Sequence, residues 1–409
     1  MFRLPPPQPL DALLERHGAR YKWLMLLVIG LGCVAGVLLT TSFNVAVPAL
    51  VRHFQIGQDQ VQWAMTGFMA AMAIAMLPTS WLLNRLGLRR LFLLALLLLA
   101  LGSVAGFFAP NFPFLVFARV VQGAATGVFQ PLAPLVVMRY FPLNQQGRAS
   151  GALSLGIVLA PAVAPALGGL LLDAFGWQAI FLLPLPFLAL AGILGLSLLP
   201  LPQQQTRPRF DWLGLTLLSV VTLAMVEGVS SLQHSGLASV WTWSQALVAA
   251  LALAFFIRHG RKTRRPLISL GLFRHATFCL GSVVSFAYGF GLYASTYLIP
   301  VFLQNALHFS ATAAGLTLLP AGIALALVIP LAGRMADRQS PKGVTIAGLA
   351  LFCVSFLLFA GWSGAITLWE ILVVTILGRL GLGLILPALN LATLRPLGAH
   401  QLAQSSVVV

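Results

Sequence analysis

One fixed positive charge stands inside a run that is otherwise apolar. It is Arg119, in the stretch FARVVQGAATGVFQP from Phe117 to Pro131. A guanidinium in hydrocarbon is costly unless it faces a partner or water. Gln122 follows three residues later and shares its helical face. The pairing predicts an inward, cavity-lining position, because a lipid-facing guanidinium would leave its donors unpaired. A charge placed there can attract anionic groups of a solute or favour ionisation of a nearby carboxylate.

Proton transfer within a sealed region needs a titratable group, and the chain has only eight carboxylates. Asp11 and Glu15 precede the first apolar run, while Asp59, Asp173, Asp211, Asp337 and Glu370 fall in loops or at helix edges. Glu227, in LAMVEGVSS, is the remaining candidate for coupling. It lies about 24 Å along a helix from Asp211 at about 1.5 Å per residue, which places it near an interface rather than at mid-span. His53, His234 and His308 map to loops as well. No metal cluster, nucleophile–base pair or phosphate loop is apparent, and an enzyme reading finds no support.

The elements that must position these groups follow from composition. Hydrophobic residues make up 59% of the chain and charged residues 8%, against about 25% charged in soluble domains. The chain cannot cover a water-facing surface and reads as an all-α, polytopic membrane protein. The cysteines, Cys33, Cys279 and Cys353, lie in apolar runs and read as packing residues. Twelve apolar spans are predicted: 24–50, 61–83, 91–109, 113–138, 149–172, 177–201, 212–232, 241–257, 276–303, 311–332, 344–362 and 367–390. Four Lys and Arg precede span 1, and the loops after spans 2, 4, 6, 8 and 10 hold three, two, two, six and three. With Arg395 after span 12, 21 of the 24 fall on one side. This positive-inside pattern predicts an N-terminus in the cytoplasm. It also accounts for the net charge of +16 without nucleic acid, the basic stretch 258–266 being a juxtamembrane loop able to touch anionic lipid.

An internal repeat organises the spans. SWLLNRLGLRR (80–90) and GRMADRQSPKG (333–343) both follow helices running in the same direction. A shift of 253 residues sets Ser80 on Gly333, Asn84 on Asp337, Arg85 on Arg338 and Arg89 on Lys342. Such repeats build many transporters. The offset covers eight spans, which predicts two six-helix halves separated by an inserted pair, fourteen helices with twelve present. The expected organisation is a cytoplasmic tail (1–23), an N-terminal six-helix bundle (24–201), an inserted helix pair with its flanking loops (202–265) and a partial C-terminal bundle (266–409).

These residues resemble the drug:proton antiporter-2 family of the major facilitator superfamily, the fourteen-helix exporters of the EmrB/QacA type. TTSFNVAVP (40–48) is similar to the family's helix-1 signature, and the loop with Ser80, Asn84, Arg85, Gly87, Arg89 and Arg90 resembles the helix 2–3 loop motif. RVVQG (119–123) resembles the helix-4 motif. GALSLGIVLAPAVAPALGG (151–169) resembles the antiporter motif of helix 5, and GWQAIFLLPLP (176–186) the entry to helix 6. Departures from the pattern are Leu39 for the usual helix-1 acid, Ser80 for Gly, Asn84 for Asp, and Ala160 and Ala164 for glycines; the second loop copy keeps Gly333 and Asp337. The resemblance implies no cofactor beyond a proton gradient, participation of Arg119 in coupling, and location in a bacterial inner membrane. In a two-membrane bacterium it also implies a periplasmic adaptor and an outer-membrane channel as partners.

The motifs have physical readings of their own. Pro161 and Pro165 lie four apart on one face and bend the helix, while Gly168 and Gly169, with Gly151 a few turns earlier, let neighbours approach closely. The alternative is ordinary packing. Arg85, Arg89 and Arg90 can grip helix C-termini and hold one conformational state; simple anchoring is the bland alternative. Gly333, Asp337, Arg338 and Lys342 are the corresponding positions of the second copy. Asn84 cannot form an aspartate's ion pair. Asn44, Trp63, Phe68, Met72, Tyr293 and Tyr297, with Met65, Met69, Phe286, Tyr288 and Phe290, are candidates for contacts to a hydrophobic small-molecule substrate. The leading expectation is an exporter of hydrophobic drugs or metabolites, the second an incomplete and inactive fragment of one, and the third an importer of small organic solutes.

Overall fold

The computed structural model describes residues 10–201, 210–263, 266–305, 307, 311–361 and 367–394; the side chains of Pro165 and Tyr297 lie outside that description. The described chain is helical throughout. Leu10–His17 is α1, Tyr21–Phe54 α2, Gln58–Met76 α3, Thr79–Phe107 α4, Phe112–Tyr140 α5 and Gln146–Phe175 α6. Leu185–Leu198 is α7, Trp212–Ser235 α8, Val240–Lys262 α9, Ala276–Asn305 α10, Ala311–Arg338 α11, Pro341–Ala360 α12 and Leu368–Leu394 α13.

Among the described residues, ten helices are long and apolar enough to cross a membrane. Spans 2 and 5 of the sequence are helical as well. Span 2 is α3 plus the first turns of α4, interrupted at Leu77–Pro78 where proline supplies no backbone donor. Span 5 is α6. The expected loop after span 2 is a kink instead: α4 continues through it, broken only at Gly87, whose φ of 77° favours a residue without Cβ.

Packing divides the chain into two units. Among the described residues, the first takes 10–135 and 160–271; the second takes Val136–Leu159 and 272–394. In the first unit, Leu38 of α2 packs on Ala160 and Ala164 of α6, where small side chains let the helices close up. Arg89 donates to the Leu196 carbonyl (2.8 Å) and Tyr21 to that of Leu198 (2.9 Å), so the last turn of α7 has donors for carbonyls that lack helical partners. In the second unit, Leu325 and Ile329 of α11 meet Leu382, Ile385 and Leu389 of α13, with Tyr288 of α10 buried among them.

Helices α8 and α9 form a hairpin closed by a hydrogen bond between the Ser231 and Thr242 hydroxyls (2.8 Å). Leu223, Val229, Leu247 and Phe255 are half-exposed or more, a surface suited to hydrocarbon rather than water. Asp211 starts this hairpin. Its carboxylate accepts from the Gly214 amide (2.8 Å), meets His259 Nε2 of α9 at 2.7 Å, and accepts from the Leu267 amide (3.0 Å). Burial alone would raise the carboxyl's pKa, but the bonds from Gly214, His259 and Leu267 outweigh it and hold the group below the usual carboxylate value. The stability this lends is full above the unfolded value, about 3.9, and is lost as pH falls through the lower folded value. Asp211→Ala is therefore expected to cost about 1–2 kcal/mol at neutral pH and to remove this part of the acid-side loss; thermal melts across the acid range check both.

Candidate functional site

Arg119 lies on the first third of α5 and is 1% exposed. Its guanidinium carbon sits 4.1 Å from the ring centre of Phe43 on α2 and 4.3 Å from that of Phe68 on α3. The two rings supply the negative faces that a buried cation seeks. Arg119 Nη1 donates to Gln122 Oε1 (3.2 Å), and Gln122 Nε2 donates to the Ser103 hydroxyl of α4 (3.2 Å). Arg119 Nε has no acceptor. Among the described residues no carboxylate pairs with Arg119.

Glycines on α5 bring the rings into place. A Cβ at Gly123 would collide with the Phe68 carbonyl, and one at Gly127 with the Met72 carbonyl. Helices α3 and α5 therefore touch backbone to backbone along a small-residue seam. On the other side, a Cβ at Gly36 of α2 would fall 2.6 Å from Thr126 Cγ2, and the Thr126 hydroxyl donates to the Gln122 carbonyl (2.9 Å). The contacts 36 with 126 and 43 with 119 run antiparallel, which sets Leu39 at the level of Gln122 and Gly123.

The structure brings together Arg119, Gln122 and Phe68 from the residues singled out in the sequence. Glu227 has a different partner, the Trp241 indole N–H of α9 at 3.3 Å. Phe43 and Ser103 were not anticipated. Phe43 stands within the helix-1 signature, and its type, an aromatic beside a missing acid, is the signal that could have found it. Asn44 and Trp63 are exposed in the first unit, and Met72 is half-buried. Arg85 lies over the Trp81 ring at 5.0 Å, Trp81 packs on Phe210 at 4.5 Å, and Phe210 on Trp212 at 4.7 Å. Asn84 and Arg90 are exposed, and Ser80 is buried. In the antiporter motif Gly168 faces Ser42 of α2, while Gly169 meets nothing within 4 Å.

In the second unit, Asp337 at the end of α11 accepts from the amides of Gly147 (2.6 Å) and Arg148 (2.7 Å), the first turn of α6. Gly333 and Gly147 approach so closely that a Cβ on either would strike the other's carbonyl, and Gly151 continues the seam one turn on. Arg338 and Lys342 are exposed. On α10 a groove of about 520 Å³ is lined by Ser285, Phe286, Gly289, Phe290, Tyr293 and Ala294. Phe286, Phe290 and Tyr293 are at least 70% exposed at helical spacing, so they present one aromatic stripe. Tyr288, on another face, belongs to the core.

Comparisons with known proteins agree with this architecture. The chain is 32% identical over 374 residues to a multidrug resistance protein B homolog of Mycobacterium tuberculosis, covering 90% of this chain and 69% of that one. It is 30% identical over 327 residues to the lincomycin resistance protein LmrB of Bacillus subtilis, covering 80% and 68%. Its fold matches the proton:xylose symporter XylE with a TM-score of 0.66 at 14% identity, over 95% of this chain and 86% of the other. The profile of the Major Facilitator Superfamily matches residues 29–409. An apolar helical chain with a buried arginine, loop motifs repeated in its two parts and this profile along nearly its whole length belongs to the major facilitator superfamily of membrane transporters.

Proposed function

We propose that the chain is a secondary active exporter of hydrophobic drugs or metabolites, energised by the proton gradient and working by alternating access. Within the superfamily it sits with the fourteen-helix drug:proton antiporters. The observation that carries the reading is the aromatic groove on α10, where Phe286, Phe290 and Tyr293 offer flat apolar faces and the Tyr293 hydroxyl a polar handle. Similarity to multidrug and lincomycin resistance proteins supports the same reading. The charge distribution supports a cytoplasmic N-terminus in an inner membrane, and family resemblance supports a periplasmic adaptor and an outer-membrane channel as partners.

The Asp337 carboxylate ties the N-terminus of α6 to α11 within the second unit. Arg119 is a fixed charge within the first unit, packed between Phe43 and Phe68 rather than lining an open cavity as the sequence suggests. In a pump-deficient strain, expression is expected to lower accumulation of hydrophobic fluorescent dyes, with a protonophore restoring it; unchanged accumulation would sink the reading. Glu227→Gln keeps the acceptor for Trp241 on a partly exposed helix face. It is expected to leave dye efflux within about twofold of wild type, the scale of a substitution worth about 0.5 kcal/mol.

A further inference from the structure

Helix α10 has one packed face and one open face. Val284, Tyr288 and Leu292 lie in the core of the second unit, while Phe286, Phe290 and Tyr293 are at least 70% exposed along the groove. Ser285 and Gly289 line the same groove, one turn apart, on the edge that borders the packed stripe. Neither residue serves the packing of its own helix. Glycine weakens a helix interior, and Gly281 and Gly291 of α10 have a steric reason to be there, since a Cβ would strike Thr393 and Phe352. A Cβ at Gly289 would meet nothing within 4 Å. Serine within a helix commonly bonds back to a carbonyl one turn earlier, and Ser282 and Ser295 donate in this way to Phe278 (2.9 Å) and Leu292 (3.0 Å). The Ser285 hydroxyl oxygen is buried and has no partner among the described residues. The two observations meet in one place. Helical side chains lean toward the N-terminus, so any side chain at 289 would lie over the turn that carries Ser285. Glycine leaves that turn uncovered.

Resting on the exporter reading above, we propose that Ser285 and Gly289 form the polar end of a substrate subsite for uncharged, planar ring systems with a carbonyl on one edge. The carbonyl enters over Gly289 and accepts a hydrogen bond from the Ser285 hydroxyl. The rings lie along Phe286, Phe290 and Tyr293, whose faces and edges offer offset or edge-on contacts. From Phe286 to Tyr293 is about 10 Å along the axis at about 1.5 Å per residue, the length of about three fused rings. Charge complementarity selects the neutral class. None of the six lining residues is ionised at neutral pH, and Asp337 and Glu370, the carboxylates described in the second unit, lie at the ends of α11 and α13. Arg379 has its electrostatic neighbour in Tyr288, on the packed face. A charged solute would leave water without gaining an opposite charge in the groove.

The test uses the full chain in zwitterionic nanodiscs, with empty discs subtracted, and two dyes that share one ring system. Nile red is neutral and carries a ring carbonyl; Nile blue is a cation with an amino group in that position. Fluorescence polarisation is expected to show saturable binding of Nile red, tighter than that of Nile blue. Gly289→Leu fills the space over Ser285 and should weaken Nile red by about tenfold or more, equivalent to about 1.4 kcal/mol, with the thermal midpoint unchanged or raised. Ser285→Ala should weaken Nile red by about fivefold, the scale of one neutral hydrogen bond, without a change for Nile blue and without loss of stability. Equal or tighter binding of Nile blue overturns the proposal, as does full Nile red affinity in both variants. Dye efflux from cells is measured separately. Absence of efflux with the binding pattern intact defeats the exporter reading and leaves the subsite standing; wild-type Nile red efflux by both variants defeats the subsite and leaves the exporter reading standing.

Discussion

Gly123→Ala is expected to lower the thermal midpoint and to cut transport by roughly tenfold or more, although the change adds one methyl group. The added Cβ would meet the carbonyl oxygen, carbonyl carbon and Cα of Phe68, which are backbone atoms and cannot rotate aside. Helix α3 must then move away from α5, at an overpacking cost of about 1–3 kcal/mol. The same movement lifts the Phe68 ring from Arg119, where it now sits 4.3 Å from the guanidinium. Losing one face of a desolvated cation–π pair adds up to about 2 kcal/mol. Gly127→Ala provides the control. It meets Met72 in the same way, two turns along α5 from Arg119. It should match the loss of stability while retaining more transport, and drug uptake with thermal melts on both variants separates the two effects. Wild-type behaviour of Gly123→Ala would mean that the α3–α5 seam does not hold the arginine.

How much of this was legible in the sequence depends on the range of each interaction. The helices were legible, because runs of about 20 apolar residues have one stable backbone solution in a bilayer. Gln122 was legible as the partner of Arg119, because three residues along a helix is a fixed distance. The rings of Phe43 and Phe68 were not: their approach depends on which faces of α2, α3 and α5 meet, and the apolar pattern of a membrane helix does not distinguish a lipid-facing side from a packed one. Phe68 was anticipated as a substrate contact, and the structure places it fully buried against Arg119. The Asp211 cluster escaped notice because His259 and Leu267 lie 48 and 56 residues away. Only the N-cap geometry, an aspartate directly before an apolar run, was local. The repeat did mark Asp337, by setting it on Asn84, but its partners 190 and 189 residues away came from the folded chain.

That pair of positions yields the second large effect. Asp337→Ala is expected to destabilise the junction of α6 and α11 by about 3 kcal/mol and to reduce transport at least as severely as Gly123→Ala. The first turn of a helix has amides without helical partners and carries the positive end of its dipole. The Asp337 carboxylate answers both, with one oxygen on Gly147 and the other on Arg148, and bonds to a charged acceptor are worth about 1.5–3 kcal/mol. Solvent cannot readily take its place at Gly147, because the Gly147 and Gly333 backbones are already in contact. Asp337→Asn keeps one carbonyl oxygen and loses the charge, so it should fall between wild type and alanine. Arg338→Ala, on the exposed side of the same turn, should cost under about 0.5 kcal/mol. The order wild type, Asn, Ala in both melting and transport would identify the two-oxygen cap as the cause. If Ala and Asn were equal, the charge alone would matter. If both melted like wild type, the contact would hold nothing. The first loop copy carries Asn84, exposed and unable to supply a carboxylate, so the chain relies on its second copy for this carboxylate cap, and removing Asp337 leaves no duplicate among the described residues to share the load.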